Sequence, residues 1–198
     1  MLRYYITDSF ALGGAAALLR CARHWIERGV EMIQLREKWM AAAEMTRTAS
    51  ELVKISAASG GSTKVLVNGR VDVAIAAGAH GVHLPSHAIS PVRIRQFAPP
   101  AFVIGVSCHD RIELDRAVRE HADFAVLGPV FSPLSKHHTG PVLGLDGFAS
   151  LARGAGIPVL ALGGVTWENE KSCLDAGAAG IAGISLFQRT TATSSSPE

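Results

Sequence analysis

The chain has 198 residues, of which 48% are hydrophobic and 18% are charged, and its formal net charge is +2. This composition predicts one globular domain and excludes a disordered chain, while the small charge argues against a nucleic-acid partner. No apolar run reaches the roughly 18 residues of a membrane span, and no signal peptide is indicated. The three cysteines are widely spaced, which is typical of reduced thiols. We therefore expect a cytoplasmic protein with no membrane partner.

Short apolar runs recur along the chain and alternate with segments of helical periodicity. The expected strands are Leu2–Thr7, Met32–Leu35, Val65–Val67, Gly81–Leu84, Val103–Ser107, Phe124–Leu127, Val159–Leu162 and Gly180–Gly183. The expected helices include Ala15–Arg28, Ala41–Ala57, Val71–Ala77, Ile112–His121 and Glu168–Ala176. This alternation predicts an α/β fold, a single-domain (β/α)₈ TIM barrel over residues 1–189, followed by a flexible tail over residues 190–198. A doubly wound sheet is the alternative, but it requires an early GxGxxG turn that this chain does not have.

The stretch Gln34-Leu35-Arg36-Glu37-Lys38 ends the second expected strand and carries two cations. Side chains alternate between the two faces of a strand. Gln34, Arg36 and Lys38 are therefore expected on one face, where they would bind an anion. The alternative is a solvated strand end in which Arg36 or Lys38 pairs with Glu37 or another nearby acid.

Polar residues also follow the other expected strands, which is where a barrel carries its active site. Asn68 ends the third strand and Ser107 the fifth, and we expect both, together with Gln34, to orient a ligand by hydrogen bonds. The turns after strands seven and eight contain glycines, which bring backbone N–H groups close to an anion and are typical of phosphate sites. The expected phosphate-binding residues are Gly163, Gly164, Gly183 and Ser185. The alternative is that these glycines only allow tight turns.

Eight short segments are individually weak signals but informative in their order and spacing. They are Tyr5–Asp8, Gln34–Lys38, Asn68–Asp72, Gly78–Leu84, Gly105–His109, Gly128–Phe131, Ala161–Val165 and Ala176–Ala182. Together they resemble the thiamine-phosphate synthase/TenI-like barrels of thiamine biosynthesis, and they are closer to the TenI branch. The resemblance covers almost the whole chain.

For a synthase, the resemblance implies a magnesium-bound pyrimidine diphosphate whose diphosphate is displaced by the nitrogen of a thiazole phosphate. The two aspartates that hold magnesium in that family are missing here, because Gly69 stands at one position and the loop Pro85–Ala88 has no acid at the other. Magnesium prefers hard oxygen ligands, so we expect no metal site. The diphosphate motif of the family is altered to Pro133–Lys136, where only Ser135 and Lys136 keep its polar character.

These departures point to the TenI-like branch, whose activity is thiazole tautomerisation. The resemblance implies that a non-aromatic thiazole carboxylate phosphate becomes its aromatic tautomer, through loss of a proton at ring carbon two and delivery of one to the exocyclic carbon. The histidine that this branch uses after strand six is replaced by Pro129, so another group must transfer the proton. The candidates, in order of preference, are His109, His138, His137 and His83.

Three functions therefore stay open: a thiazole tautomerase, a thiamine-phosphate synthase, and a non-catalytic barrel that binds thiazole phosphate. Arg36 and Lys38 would hold the carboxylate or a second anion, and Lys136 would bind an anion or cover the site. Arg70 and Asp72 would pair with each other or cap the next helix. No cofactor is expected, and magnesium would be needed only for the synthase alternative. The expected partner is a small thiazole phosphate or related anion. A homo-oligomer is a further prediction.

Overall fold

The computed structural model describes residues 1–132 and 141–192, with side chains through residue 189. Its helices and strands follow one another in strict alternation after the first helix pair. In chain order they are β1 (Leu2–Ile6), α1 (Ser9–Leu12), α2 (Ala15–Glu27), β2 (Met32–Leu35), α3 (Ala42–Ala58), β3 (Lys64–Asn68), α4 (Val71–Ala76), β4 (Gly81–Leu84), α5 (Pro91–Arg95), β5 (Val103–Cys108), α6 (Arg111–Arg119), β6 (Phe124–Leu127), α7 (Gly144–Ala152), β7 (Val159–Leu162), α8 (Glu170–Asp175), β8 (Gly180–Gly183) and α9 (Ser185–Ala192).

The eight strands are hydrogen-bonded neighbours in sequence order and close into a barrel. This confirms the predicted (β/α)₈ fold. Five strands have the expected bounds, β1 and β5 differ from them by one residue at one end, and β3 is longer by one residue at each end. Strands in such a sheet are covered on both faces, and their sequences are accordingly near-continuous apolar runs rather than alternating ones.

Two compact units divide the chain. The first, the N-terminal unit, comprises residues 4–82 and 183–198. Within it, β2 is the parallel neighbour of both β1 and β3, with Ile6 opposite Gln34 and Gln34 opposite Leu66. The helix α2 has one buried apolar face in this unit. The buried residues recur at helical spacing and are Leu18, Cys21, Ala22, Trp25 and Ile26.

The second, the central unit, comprises residues 1–3 and 83–182. In it β5, β6, β7 and β8 pair in parallel, with Ser107 opposite Val126 and Leu162 opposite Ala182. Gly180 is required by close packing, because a Cβ there would lie 2.0 Å from the backbone oxygen of Leu2.

Four helices lie outside the helical segments named above: α1, α5, α7 and α9. Two of them have five residues or fewer, which is too short for a helical period to stand out. The helix α9 runs to Ala192 and so extends past the predicted start of the tail at residue 190. The barrel boundary at residue 189 stays a prediction. None of the described helices is long and apolar enough to cross a membrane.

Candidate functional site

The predicted anion clamp begins at the carboxyl end of β2, but only Gln34 is a strand residue. The strand ends at Leu35, as expected, so the alternation of faces does not extend to Arg36 and Lys38, and their placement on one face with Gln34 stays a prediction. Gln34 is only 2% exposed, and its Nε2 donates a hydrogen bond to the Tyr4 hydroxyl at 3.1 Å. The Gln34 side chain is thus fixed within the core.

In the N-terminal unit, Glu37 connects the segment that follows β2 to the segment that follows β1. Its buried carboxylate accepts a hydrogen bond of 2.6 Å from the Thr7 hydroxyl and others from the backbone N–H of Ser9, at 3.0 and 3.1 Å, and from the Ser9 hydroxyl. The backbone N–H of Arg36 in turn donates to Thr7 Oγ1 at 3.0 Å. Glu37 is a structural group, and among the described residues it does not pair with a clamp cation.

The two cations of the clamp are therefore available to an anion. Within residues 1–132 and 141–189, neither Arg36 nor Lys38 takes part in an ion pair. Arg36 is half-buried and Lys38 is exposed. A half-buried guanidinium with no carboxylate partner is well suited to bidentate binding of a carboxylate or phosphate.

The carboxyl end of β3 presents Asn68, which is half-buried, followed by the exposed Gly69 and Arg70. Gly69 has φ of +69°, a left-handed conformation that favours glycine. Arg70 Nε donates to Asp72 Oδ1 at 2.8 Å, and this hydrogen bond lowers the pKa of Asp72 to about 2. The predicted pairing of Arg70 with Asp72 is thus confirmed.

In the central unit, the structure brings His83 of β4 and Ser107 of β5 together. His83 Nε2 lies 2.9 Å from Ser107 Oγ, and the imidazole is 2% exposed and tilted against the Phe124 ring. Gly105 makes this packing fit, because a Cβ there would lie 2.3 Å from Phe124 Cζ and 2.8 Å from His83 Nδ1. The half-buried Ser107 hydroxyl is therefore held in place by a buried histidine.

His109, the preferred acid/base candidate, follows β5 and is oriented by a carboxylate. Its Nδ1 lies 2.9 Å from Glu113 Oε2, and its backbone N–H donates to the same oxygen at 2.8 Å. Partial burial alone would raise the pKa of Glu113, but hydrogen bonds from His109 and Ser86 outweigh it and leave the pKa lowered. The carboxylate is thus kept charged beside an imidazole that is 60% exposed.

Sequence reasoning missed Glu113, although a signal was present. Asp110 begins α6 as its N-cap and accepts a hydrogen bond of 2.8 Å from the backbone N–H of Glu113. An Asp followed three residues later by Glu is typical of the start of a helix, where the Glu reaches back toward the preceding backbone. In this chain the Glu113 side chain reaches back in the same way, and its carboxylate contacts the backbone N–H and the imidazole of His109.

Cys108 lies between Ser107 and His109 but does not suit proton transfer. Burial, with the nearby Glu113 carboxylate adding to it, raises the pKa of the Cys108 thiol to about 12. The thiol is therefore protonated at neutral pH and stays a core residue of β5.

The glycines after β7 are needed for close packing against the loop that follows β6. A Cβ on Gly163 would lie 2.4 Å from Pro129 Cβ, and one on Gly164 would lie 2.7 Å from Phe131 Cβ. The Phe131 N–H donates to the Gly163 carbonyl at 3.0 Å, and Asn169 Nδ2 donates to the Gly164 carbonyl at 3.0 Å. The tight-turn alternative for these glycines is thus supported, and their phosphate role stays a prediction.

In the N-terminal unit, Gly183 ends β8 and Ser185 begins α9. Gly183 is buried, and a Cβ there would lie 3.0 Å from Leu186 Cβ. Ser185 is half-buried at the first turn of an eight-residue helix. This arrangement is compatible with the predicted phosphate contact.

Part of the predicted site falls on residues 133–140, which lie outside the described residues. Ser135, Lys136, His137 and His138 belong to this segment. Pro129, which replaces the branch's histidine, is described and follows Gly128 through a cis peptide bond.

The positions that the resemblance assigns to magnesium do not fit that ion. Gly69 has no side chain, and the loop Pro85–Ala88 contains no carboxylate. Asp72 is bound by Arg70, and Glu113 is bound by the residues that precede α6. In the described parts of the chain, no group of three or more His, Cys, Asp or Glu could hold a metal ion.

Comparison with known proteins gives one consistent family. A family model described as thiamine monophosphate synthase matches residues 3–187. The chain is 37% identical to the thiamine-phosphate synthase of Methanoregula boonei, covering 92% of this chain and 83% of that protein. It is 35% identical to the thiamine-phosphate synthase of Koribacter versatilis, covering 91% and 86% respectively.

A solved structure gives the same result. The thiamine phosphate pyrophosphorylase from Pyrococcus furiosus superposes with a TM-score of 0.80 at 28% identity, covering 98% of this chain and 96% of that chain. The names of these similar proteins agree with the synthase alternative better than with the tautomerase prediction.

Proposed function

Because the chain belongs to the thiamine monophosphate synthase family, we propose that it binds a phosphorylated thiazole of thiamine biosynthesis and catalyses metal-independent tautomerisation of that ring. The proposed substrate is a non-aromatic thiazole carboxylate phosphate. The reaction is an isomerisation: one proton leaves ring carbon two, one proton is added to the exocyclic carbon, and no oxidant or second substrate is needed.

The observation that carries this proposal is the His109–Glu113 pair at the carboxyl end of β5. A carboxylate on Nδ1 fixes the tautomer and orientation of an imidazole and stabilises its protonated form. No hydrogen-bond partner of His109 Nε2 is found among the described residues. In the proposed reaction, Nε2 removes the ring proton, and the imidazolium that results is stabilised by Glu113.

The remaining roles use residues at the carboxyl ends of their own strands, where barrels of this class carry their sites. Ser107, held by His83 at 2.9 Å, orients the ring by a hydrogen bond. Arg36 and Lys38, which have no ion-pair partner among the described residues, hold the carboxylate. The phosphate is bound by the backbone N–H groups of Gly163, Gly164, Gly183 and Ser185.

A second candidate function is thiamine-phosphate synthase activity, for which the similar proteins are named. The 35–37% identity to two proteins so named, over more than nine-tenths of this chain, favours it. The described residues supply no carboxylate for magnesium at the positions of the family's aspartates, so we derive no step through that ion. The synthase is therefore placed second.

The experiment that tests the proposal compares three proteins on the non-aromatic thiazole carboxylate phosphate, in buffer with a chelator. Wild type is expected to speed aromatisation above the uncatalysed rate, His109→Ala to lose most of that acceleration, and His24→Ala, a half-buried α2 histidine within hydrogen-bond distance of Arg28, to keep it. Equal rates with and without wild-type protein would overturn the proposal. Equal rates for wild type and His109→Ala would remove His109 from the mechanism.

A further inference from the structure

A buried carboxylate lies two residues beyond the end of β2, in the N-terminal unit. Glu37 is 7% exposed, and within residues 1–132 and 141–189 it takes part in no ion pair. Its hydrogen-bond donors are the hydroxyls of Thr7 and Ser9 and the backbone N–H of Ser9. A buried charge is costly unless it is hydrogen-bonded, and these donors all belong to the segment that follows β1.

The hydroxyl of Thr7 has a fixed direction because of this carboxylate. Thr7 Oγ1 lies 2.6 Å from Glu37 Oε1, and an ionised carboxylate accepts hydrogen bonds but has no proton to donate. The single hydroxyl proton of Thr7 therefore points at Glu37, and the lone pairs of Oγ1 face other groups. Thr7 is completely buried, so water does not compete for this proton.

The backbone of Arg36 uses one of those lone pairs. Its N–H donates to Thr7 Oγ1 at 3.0 Å, one residue past the end of β2. Before that point main-chain hydrogen bonds join the two strand ends, among them the bond from the Thr7 N–H to the Gln34 carbonyl at 2.9 Å. At Arg36 a side-chain oxygen thus takes the place of the main-chain acceptor that would continue a regular ladder.

The segment that follows β1 is also held by α9. Gln188 is 6% exposed, and its Nε2 donates to the Asp8 carbonyl at 3.1 Å and to the Tyr5 hydroxyl at 3.2 Å. Asp8 directly follows Thr7 in the sequence. The oxygen that accepts the Arg36 N–H therefore belongs to a segment whose own backbone is anchored on a second side.

We propose that Thr7 is a positioning residue for Arg36: its hydroxyl, oriented by Glu37, fixes the backbone from which the Arg36 guanidinium extends to the carboxylate of the ligand. This inference rests on the anion-binding role proposed for Arg36. A guanidinium binds a carboxylate through two parallel N–H···O bonds, and a shift at the base of the side chain disturbs that geometry. Thr7 acts only through Arg36, because its own side chain is completely buried.

Three variants isolate the hydroxyl of Thr7. Thr7→Val keeps the branched shape but removes the acceptor of the Arg36 N–H, whereas Thr7→Ser keeps the hydroxyl. Ser9→Ala is the matched control, because the Ser9 hydroxyl binds the same Glu37 carboxylate and, among the described residues, no hydrogen bond joins Ser9 to Arg36. Arg36→Gln measures how much of the affinity the guanidinium supplies.

The test is calorimetric titration of the full-length protein with two ligands, the aromatic thiazole carboxylate phosphate and the same thiazole phosphate without its carboxylate. For the first ligand, we expect Arg36→Gln to bind about tenfold more weakly and Thr7→Val about threefold to tenfold more weakly. Thr7→Ser and Ser9→Ala should bind it as wild type does. For the ligand without a carboxylate, Thr7→Val should match wild type, whereas a purely structural role of Thr7 would weaken both ligands alike.

A double variant tests whether Thr7 acts through Arg36. Adding Thr7→Val to Arg36→Gln should weaken the carboxylate ligand no further, because the residue that Thr7 positions is already lost. If Thr7→Val does not fold, Glu37→Gln takes its place, since the amide removes the charge that orients the Thr7 hydroxyl, and the same selective loss is expected. Wild-type affinity for the carboxylate ligand in the folded variant, or an equal loss for both ligands, would overturn the proposal.

The same titrations separate this inference from the proposed reaction. If Thr7→Val loses affinity for the carboxylate ligand alone while wild type does not accelerate aromatisation, the proposed reaction is wrong and the role of Thr7 stands. If Arg36→Gln binds the carboxylate ligand as wild type does, the role of Thr7 is wrong whatever the rate of aromatisation. If wild type does not bind the carboxylate ligand, both are wrong.

Discussion

The imidazole of His109 and the carboxylate of Glu113 lie 2.9 Å apart at the start of α6, four residues from each other along the chain. The same carboxylate oxygen also accepts the backbone N–H of His109, so the pair is fixed by the helix start itself. An exposed histidine thereby acquires a defined tautomer and orientation.

The first prediction concerns this pair in catalysis. Glu113→Gln keeps the size of the side chain but removes the charge that stabilises the imidazolium. We expect kcat for thiazole tautomerisation to fall about tenfold to a hundredfold, with a smaller change in KM, as measured by initial rates across substrate concentration. Glu51→Gln, at a half-buried α3 residue that pairs with Lys54, is the control and should leave both constants unchanged; a Glu113→Gln enzyme with wild-type kcat would contradict the role.

The second prediction concerns stability and pH. The pKa of Glu113 is lowered in the folded protein, so its stabilising contribution is present above the unfolded value of about 4.3 and is lost as pH falls through the lower folded value. The Tm difference between wild type and Glu113→Gln should therefore be largest near pH 6 and shrink toward pH 3, as measured by thermal denaturation. If the Tm difference grew as the pH fell, the pKa of Glu113 would not be lowered in the folded protein.

The third prediction concerns the clamp. Arg36 has no ion-pair partner among the described residues, and a charge-assisted hydrogen bond contributes about 1.5–3 kcal/mol. Arg36→Gln should raise KM for the thiazole carboxylate phosphate at least about tenfold with kcat little changed, because ground-state binding is lost. Arg20→Gln, an exposed arginine of α2, is the matched control, and an unchanged KM in Arg36→Gln would remove this residue from the binding site.

The fourth prediction concerns Gly105. An added Cβ would lie 2.3 Å from Phe124 Cζ and 2.8 Å from His83 Nδ1, and overpacking of this kind costs about 1–3 kcal/mol of unfolding free energy. Gly105→Ala should therefore lower Tm by several degrees, since about 1 kcal/mol corresponds to roughly 2–4 °C in a chain of this size.

Gly147→Ala is the control for that measurement. Gly147 lies inside α7, and a Cβ there would meet only Leu143 Cβ at an ordinary 3.5 Å. Because alanine favours helices over glycine by about 1 kcal/mol, its Tm should stay level or rise. A Gly105→Ala protein as stable as Gly147→Ala would show that the packing around His83 is looser than the structure has it.

The sequence alone was enough to predict the barrel, because each buried strand is a short apolar run and the period of strand and helix repeats eight times. The side-chain contacts of the site were harder to predict from the sequence. The alternation of strand faces could place Gln34, but it does not apply beyond the expected strand end at Leu35, and it could not foresee that Glu37 would be bound by Thr7 and Ser9 rather than by a cation.

Two other features depended on contacts between residues distant along the chain. His83 and Ser107 are 24 residues apart and meet only because β4 and β5 are consecutive strands of the barrel. The exposure of Trp39 was equally hard to predict, since tryptophan is highly buried on average.

The most direct test of the proposed function runs two reactions on one preparation of wild-type protein. In the first, the non-aromatic thiazole carboxylate phosphate is incubated with excess chelator; in the second, hydroxymethylpyrimidine diphosphate and thiazole phosphate are incubated with magnesium. The proposed function predicts accelerated aromatisation that the chelator does not reduce, and no thiamine phosphate. Magnesium-dependent formation of thiamine phosphate, with aromatisation no faster than in buffer, would contradict it and assign the chain the synthase activity of its relatives.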